Sequence, residues 1–175
     1  MTQRIKWTER KFSFDFPAGI YPEIIERVRG TPARLEDLFN GLSAETLTTQ
    51  ADGRWSMQEN AGHLLDLESL VSQRIDEYVA GLSTLHAADM SNRKTYEASH
   101  NAVPVGIILQ AFRAARHELV DRLENLDGEL FARSALHPRL NVQMRLVDML
   151  FFQAEHDDYH LARTSELKKY FTQRR

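Results

Sequence analysis

Apolar positions recur at steps of three and four along most of the chain, the spacing that lines one side of an α-helix. The first such stripe is Ile24, Val28, Thr31, Leu35, Leu38 and Leu42, with Pro22 placed as an early helical residue. Gly30 and Pro32 interrupt it, which predicts a kink or a brief break before the element ends at Gly41 and Ser43. A second helix is expected from Ser56 to about Ala80, with Leu64, Leu67, Leu70, Val71, Ile75 and Tyr78 on its apolar side and Gly81 as its stop. Ser56 with Glu59 three residues later forms a capping box at its start. The third helix opens at Pro104, carries Ile108, Phe112, Ala115, Leu119, Leu123 and Leu126, and stops near Gly128. The fourth runs from near Gln143 to about Phe171, with Met149, Phe152, Tyr159, Leu167 and Tyr170 on one side.

Elsewhere the period changes. Phe12, Phe14 and Phe16 alternate with Ser13 and Asp15, so residues 1–21 are expected to form an extended arm with one apolar edge, packed on the body or on a partner. Residues 82–103 make a polar connection of a length that usually crosses a bundle or shapes a site. A second irregular segment holds His137-Pro138-Arg139. Four long helices, two long connections and no clear strand pairing predict an all-α, four-helix-bundle domain over residues 22–171.

The 175 residues suit one domain with a proper core. A formal charge of −3 gives no electrostatic reason to bind nucleic acid or an anionic membrane. No run of 18 apolar residues exists to span a bilayer. The N-terminus lacks the apolar stretch of a signal peptide, so the expected location is cytoplasmic. The chain has no cysteine, which excludes disulfides, thiolate ligands and an enzyme-borne thiol nucleophile. Any sulfur in its chemistry must arrive with a substrate.

Candidate chemistry concentrates on histidine. His156 and His160 stand four apart in the fourth helix and therefore share one face, one turn apart. His63 lies near the start of the second helix, and from a facing helix it would complete a three-nitrogen site with a position left for an exchangeable ligand. Neutral imidazole donors suit zinc, nickel, copper or iron. Interior histidines are also common as hydrogen-bonded core residues, so spacing alone leaves both readings open. Two rival motifs fit less well. A zincin needs His-Glu-x-x-His, whereas Asp157 stands in that region here; a di-iron bundle needs paired Glu-x-x-His motifs, and only Asp157-x-x-His160 approaches one.

Around the three histidines, Glu59, Asp157 and His137 are candidate proton acceptors, although Glu59 is equally explained by its cap. Asp66 is a candidate acceptor for the outer N–H of a metal-bound imidazole. Trp55 is expected to pack at the bundle end, and His86, His100 and His117, lacking a supporting partner, read as structural or surface residues.

Trp55-Ser56-x-x-Glu59-x-x-x-His63, followed far downstream by His156-Asp157-x-x-His160-Leu161, resembles the DinB/YfiT-like superfamily over roughly residues 22–170. The resemblance implies a metal-binding four-helix bundle in which His63, His156 and His160 hold a divalent ion, zinc or nickel first, with iron and manganese also in range. Some members of that superfamily are thiol transferases that use bacillithiol or mycothiol, including a maleylpyruvate isomerase, and many have no established reaction. Bundles of the family are often dimers. The expectation is therefore a metal-dependent transferase that passes a low-molecular-weight thiol to an electrophile. The alternatives are a metal-dependent hydrolase or a non-catalytic metal-binding, stress-response module. Small molecules are the expected partners, and a homodimer the expected state.

Overall fold

The computed structural model describes residues 4–173. Helices α1 (Tyr21–Arg29) and α2 (Thr31–Phe39) form one bent element that breaks at Gly30. The short α3 (Ala44–Thr48) leads to α4 (Met57–Ala80), and after a long connection carrying α5 (Arg93–Glu97) come α6 (Val105–Glu124) and α7 (Leu146–Thr172). The bent element, α4, α6 and α7 are the four members of the bundle.

Each long helix begins and ends where its local chemistry requires. At α4, the Ser56 hydroxyl accepts from the Glu59 N–H at 3.0 Å while the Glu59 carboxylate accepts from the Ser56 N–H at 2.7 Å. At its other end Gly81 takes φ 72°, a left-handed conformation that glycine adopts at little cost. At α7, Asp148 accepts from the Arg145 N–H at 2.8 Å.

One feature departs from the expectation of no strand pairing. Ser134–His137 (β1) and Val142–Arg145 (β2) pair as an antiparallel hairpin, with Ala135 opposite Met144 and His137 opposite Val142. The hairpin binds the long connection, the Leu136 N–H donating to the Ser83 carbonyl at 2.8 Å and the Leu85 N–H to the Leu136 carbonyl at 3.0 Å. Strands of four residues are too short to show a period of two, and α3 and α5 are equally too short to show 3.6.

Residues 1–3 of the expected arm lie outside the described residues, and the rest runs along the bundle with a 3-10 turn at Trp7–Glu9. Trp7 and Phe12 sit 4.9 Å from the Phe152 ring, and Phe16 sits 5.2 Å from Phe151. The carbonyls of Phe14 and Phe16 accept from the Arg145 guanidinium.

A polar layer divides the interior. One apolar cluster gathers Val28, Val71, Ile75, Leu119, Leu123 and Leu150, and the other Leu35, Phe39, Leu64, Ile108, Phe112 and Leu161. Every long helix crosses from one cluster to the other through a buried polar residue: Thr31 in the bent element, Glu68 in α4, Arg116 in α6, and Asp157 in α7. Such residues are tolerated inside only when paired. Here Arg116, fully buried, donates to Asp157 at 2.6 Å, to Glu68 at 2.7 Å and to the Val28 carbonyl at 2.7 Å. Thr31 and Gln153 complete the Asp157 carboxylate, each at 2.8 Å.

Candidate metal centre

Beside this layer, α4 contributes His63 and α7 contributes His156 and His160, and all three are buried. One ring nitrogen from each lies within 4.8 Å of the other two. The helical rise explains the pair on α7, since a step of four brings residues onto one face. Close packing of α4 on α7 brings in the third.

Hydrogen bonds indicate which nitrogen is free on two of the rings, His160 and His63. The Asn60 amide nitrogen donates to the carbonyls of Trp55 and Ser56, so its oxygen faces the His160 Nδ1 at 2.8 Å as an acceptor. His160 must then carry its proton on Nδ1, which leaves a lone pair on Nε2. His63 is held in the same sense. Its Nδ1 lies 3.0 Å from the Thr95 hydroxyl, and that hydroxyl is itself engaged by the Asp66 carboxylate. Thr95 therefore donates to Asp66 and accepts from His63. Partners of this kind fix the ring orientation of metal-bound histidines.

Electrostatics keeps the rings neutral. Burial pushes His63 down to about 3, with His156 adding to the effect. Burial likewise pushes His156 to about 3, helped by the positive charges of Arg139 and Arg116. His160 lies well below its ordinary value for the same reason, with His156 and His63 beside it. All three thus offer lone pairs at neutral pH, as a metal ligand must. The Nε2 atoms of His156 and His160 are 3.2 Å apart. Two nitrogens each bound at the usual zinc distance with a tetrahedral angle between them would be about 3.3 Å apart. The donor set fits a divalent cation.

The other sequence candidates fall in different places. The Glu59 carboxylate is taken up by its own cap and by the Gln50 amide at 2.8 and 2.9 Å, so it belongs to the helix terminus rather than to the rings. Asp157 lies inside the Arg116 network, its carboxylate accepting from Arg116, Thr31 and Gln153. His137, at the end of β1, lines a cavity together with His63 and His156. Trp55 stands just before the N-cap of α4. Its ring lies 4.6 Å from His63 and 6.1 Å from His160, so it walls the centre. His86 and His117 are exposed as expected.

His100 is the main surprise. It is buried, and its Nε2 meets the Asp66 carboxylate at 2.8 Å. Burial alone would raise Asp66, yet hydrogen bonds from His100 and Thr95 hold it below its ordinary value. The His100 ring lies flat against Gly62, where an added Cβ would come within 2.2 Å of the ring. Gly62→Ala is therefore expected to push His100 off Asp66 and to destabilise the protein by about 1–3 kcal/mol, the usual range for overpacking. Chemical denaturation checks this, and an unchanged midpoint would show that the ring can shift freely. The Gly62-His63 step was the available sequence signal, because a mid-helix glycine commonly marks a close approach.

A cleft of about 460 Å³ opens beside Trp55 and Asn60, bounded by Arg4, Arg54, Tyr96 and Tyr159. It gives the centre a neighbouring space large enough for a small molecule.

Comparison with known proteins speaks to the family and the fold. The DinB superfamily model matches residues 27–163. Among solved structures, the chain is similar to YfiT from Bacillus subtilis, described as a probable metal-dependent hydrolase with an unusual four-helix bundle topology. The TM-score is 0.80 at 18% identity, covering 93% of this chain and 94% of that one. It is also similar to the mycothiol-dependent maleylpyruvate isomerase, with a TM-score of 0.66 at 10% identity, covering 85% of this chain and 60% of the other. A search of curated proteins gives no match. At these identities the structural likeness speaks for the fold, and the family match carries the assignment: the chain belongs to the DinB superfamily.

Proposed function

We propose that this protein is a metal-dependent enzyme that activates a low-molecular-weight thiol and transfers it to an electrophile. The observation that supports the reading is the convergence of three neutral imidazoles, two of them oriented, His160 by Asn60 and His63 by Thr95 with Asp66. A divalent cation held there, uncompensated by any carboxylate ligand, would lower the pKa of a coordinated thiol from its ordinary value near 8.5 and so supply a thiolate at neutral pH.

The chain's own residues have narrower tasks. His63, His156 and His160 hold the cation, and the Asn60 and Thr95 contacts keep the donating nitrogens of His160 and His63 pointed inward. Trp55 on one side, with Trp7 5.0 Å from His156 on the other, limits access of bulk water to the rings. The chain carries no cysteine to compete with an incoming sulfur. The same proposal extends to a homodimer in the cytoplasm with small-molecule partners.

A second reading is metal-dependent hydrolysis, in which a bound water is the activated ligand. It is favoured by the likeness to YfiT over 93% of the chain. One experiment separates them. Zinc- and nickel-loaded protein is assayed with a panel of low-molecular-weight thiols and an electrophile, and in parallel with esters and amides. The expected outcome is conjugate formation that is first order in thiol and stops on chelation. Ester or amide cleavage without thiol would establish the hydrolase instead. No turnover in either assay would leave a metal-binding module.

A further inference from the structure

The proposed chemistry does not account for a small cavity under the N-terminal arm. It measures about 90 Å³ and is lined on one side by Leu67, Leu70 and Val71, and on the other by His137, Arg139 and His156. The last three each keep a buried polar atom without a hydrogen-bond partner: His137 Nε2, Arg139 Nη2 and His156 Nδ1. Leaving such atoms unpaired is costly, and native interiors seldom do so.

All three atoms are donors. The Leu140 N–H donates to His137 Nδ1 at 3.3 Å, so that ring carries its proton on Nε2. Arg139 has only N–H groups to offer. His156 presents Nδ1–H whenever its Nε2 faces the cation. Three buried donors in one cavity call for an acceptor, and a cationic donor among them favours an anion.

The surrounding charge points the same way. Arg139 forms no ion pair among the described residues. Its guanidinium instead lies 5.3 Å from the Phe152 ring and 5.9 Å from the Trp7 ring. Arg74, also lining the cavity, is buried and donates twice to the His86 carbonyl. Burial together with these two arginines pushes His137 down to about 4. The one carboxylate at the rim, Asp89, is exposed and already accepts from Ser91 and Arg93.

We propose that this cavity is a carboxylate-binding subsite, in which Arg139 and His137 grip the carboxylate of a small substrate while Leu67, Leu70 and Val71 receive its short apolar stem. The proposal deepens the functional reading, because His63 and His156 line the same cavity and so a carboxylate held there would bring its own chain beside the metal centre. The enzyme would then act on small carboxylic acids rather than on neutral electrophiles. The subsite itself does not require the metal.

The test uses the full chain, both chelated and zinc-loaded, titrated calorimetrically with butyrate and with butyramide, its neutral isostere. Butyrate is expected to bind saturably to both forms, at least tenfold more tightly than butyramide. Arg139→Gln is expected to weaken butyrate at least tenfold, and Arg139→Lys, which keeps the charge but not the fork, to fall between. Equal binding of butyrate and butyramide, absence of saturation, or an unchanged constant in Arg139→Gln overturns the subsite. The comparison of butyrate with butyramide needs no variant, so it stands even where a substitution disturbs folding. Because the chelated arm is independent of metal, a protein that binds no zinc but discriminates the two ligands sinks the metal reading and keeps this one.

Discussion

Alanine at His156 should abolish stoichiometric metal binding, and alanine at His63 or His160 should do the same. Each substitution removes one of three donors and leaves a pair, and a pair of imidazoles is a weak and unselective site. Smaller losses should follow from the partners behind the rings. Thr95→Val deletes the hydroxyl that links His63 to Asp66 without changing the side chain's shape, and Asn60→Ala deletes the acceptor of His160. Outer partners of this kind typically contribute about 10–100-fold in affinity. The expected order is therefore wild type, then Thr95→Val and Asn60→Ala, then the histidine variants, with the last group well beyond a hundredfold weaker. Competition against a chromophoric chelator, with metal content read by mass spectrometry, gives the whole series. Full-affinity, one-to-one binding by His63→Ala would remove the centre from this chain's function, since neither α7 histidine can reach a third donor of its own helix face.

That centre was only partly legible in the chain. The His156–His160 spacing dictates a shared face once the segment is helical, and helicity followed from a long apolar stripe with clean ends. His63 could be placed on α4 by its capping box and by Gly81, but nothing local says that this stretch of α4 packs against that stretch of α7. Only the family resemblance linked them. The orienting residues were harder still. Thr95 lies in a connection without period, His100 reaches Asp66 from a 3-10 turn, and both contacts join residues about thirty positions apart. The hairpin that places His137 and Arg139 was invisible for a different reason, since its strands are only four residues long and β1 also bonds to the Ser83–Leu85 segment, which has no strand signature of its own. The polar layer also left a trace that periodicity analysis discards. Glu68, Arg116 and Asp157 each occupy a position where an apolar stripe calls for another apolar residue, and Thr31 passes as a member of the first stripe.

Arg116 is where that layer is most exposed to test. Removing it with Arg116→Ala leaves Glu68 and Asp157 buried without their counter-charge, and both carboxylates lose donors to which no water has ready access. Breaking a buried pair in this way costs about 3–5 kcal/mol. In a domain of this size each kcal/mol lowers the melting temperature by about 2–4 °C, so a fall of roughly 6–20 °C is expected. Arg116→Lys should lie between, because an ammonium cannot make the forked contacts to Glu68, Asp157 and the Val28 carbonyl together. The diagnostic variant replaces all three ions at once, Arg116→Met with Glu68→Leu and Asp157→Leu. If the penalty comes from stranded charge, this triple variant recovers most of the lost stability, as apolar substitutes for buried ion networks often do. Its metal affinity then reads a separate quantity. Asp157 adjoins His156 in the chain, and its contacts with Arg116, Thr31 and Gln153 set how α7 is turned. Recovered stability with weakened metal binding would show that the layer's role is to aim the two histidines. A loss below about 1 kcal/mol in Arg116→Ala would show instead that water reaches the carboxylates and that the layer contributes little.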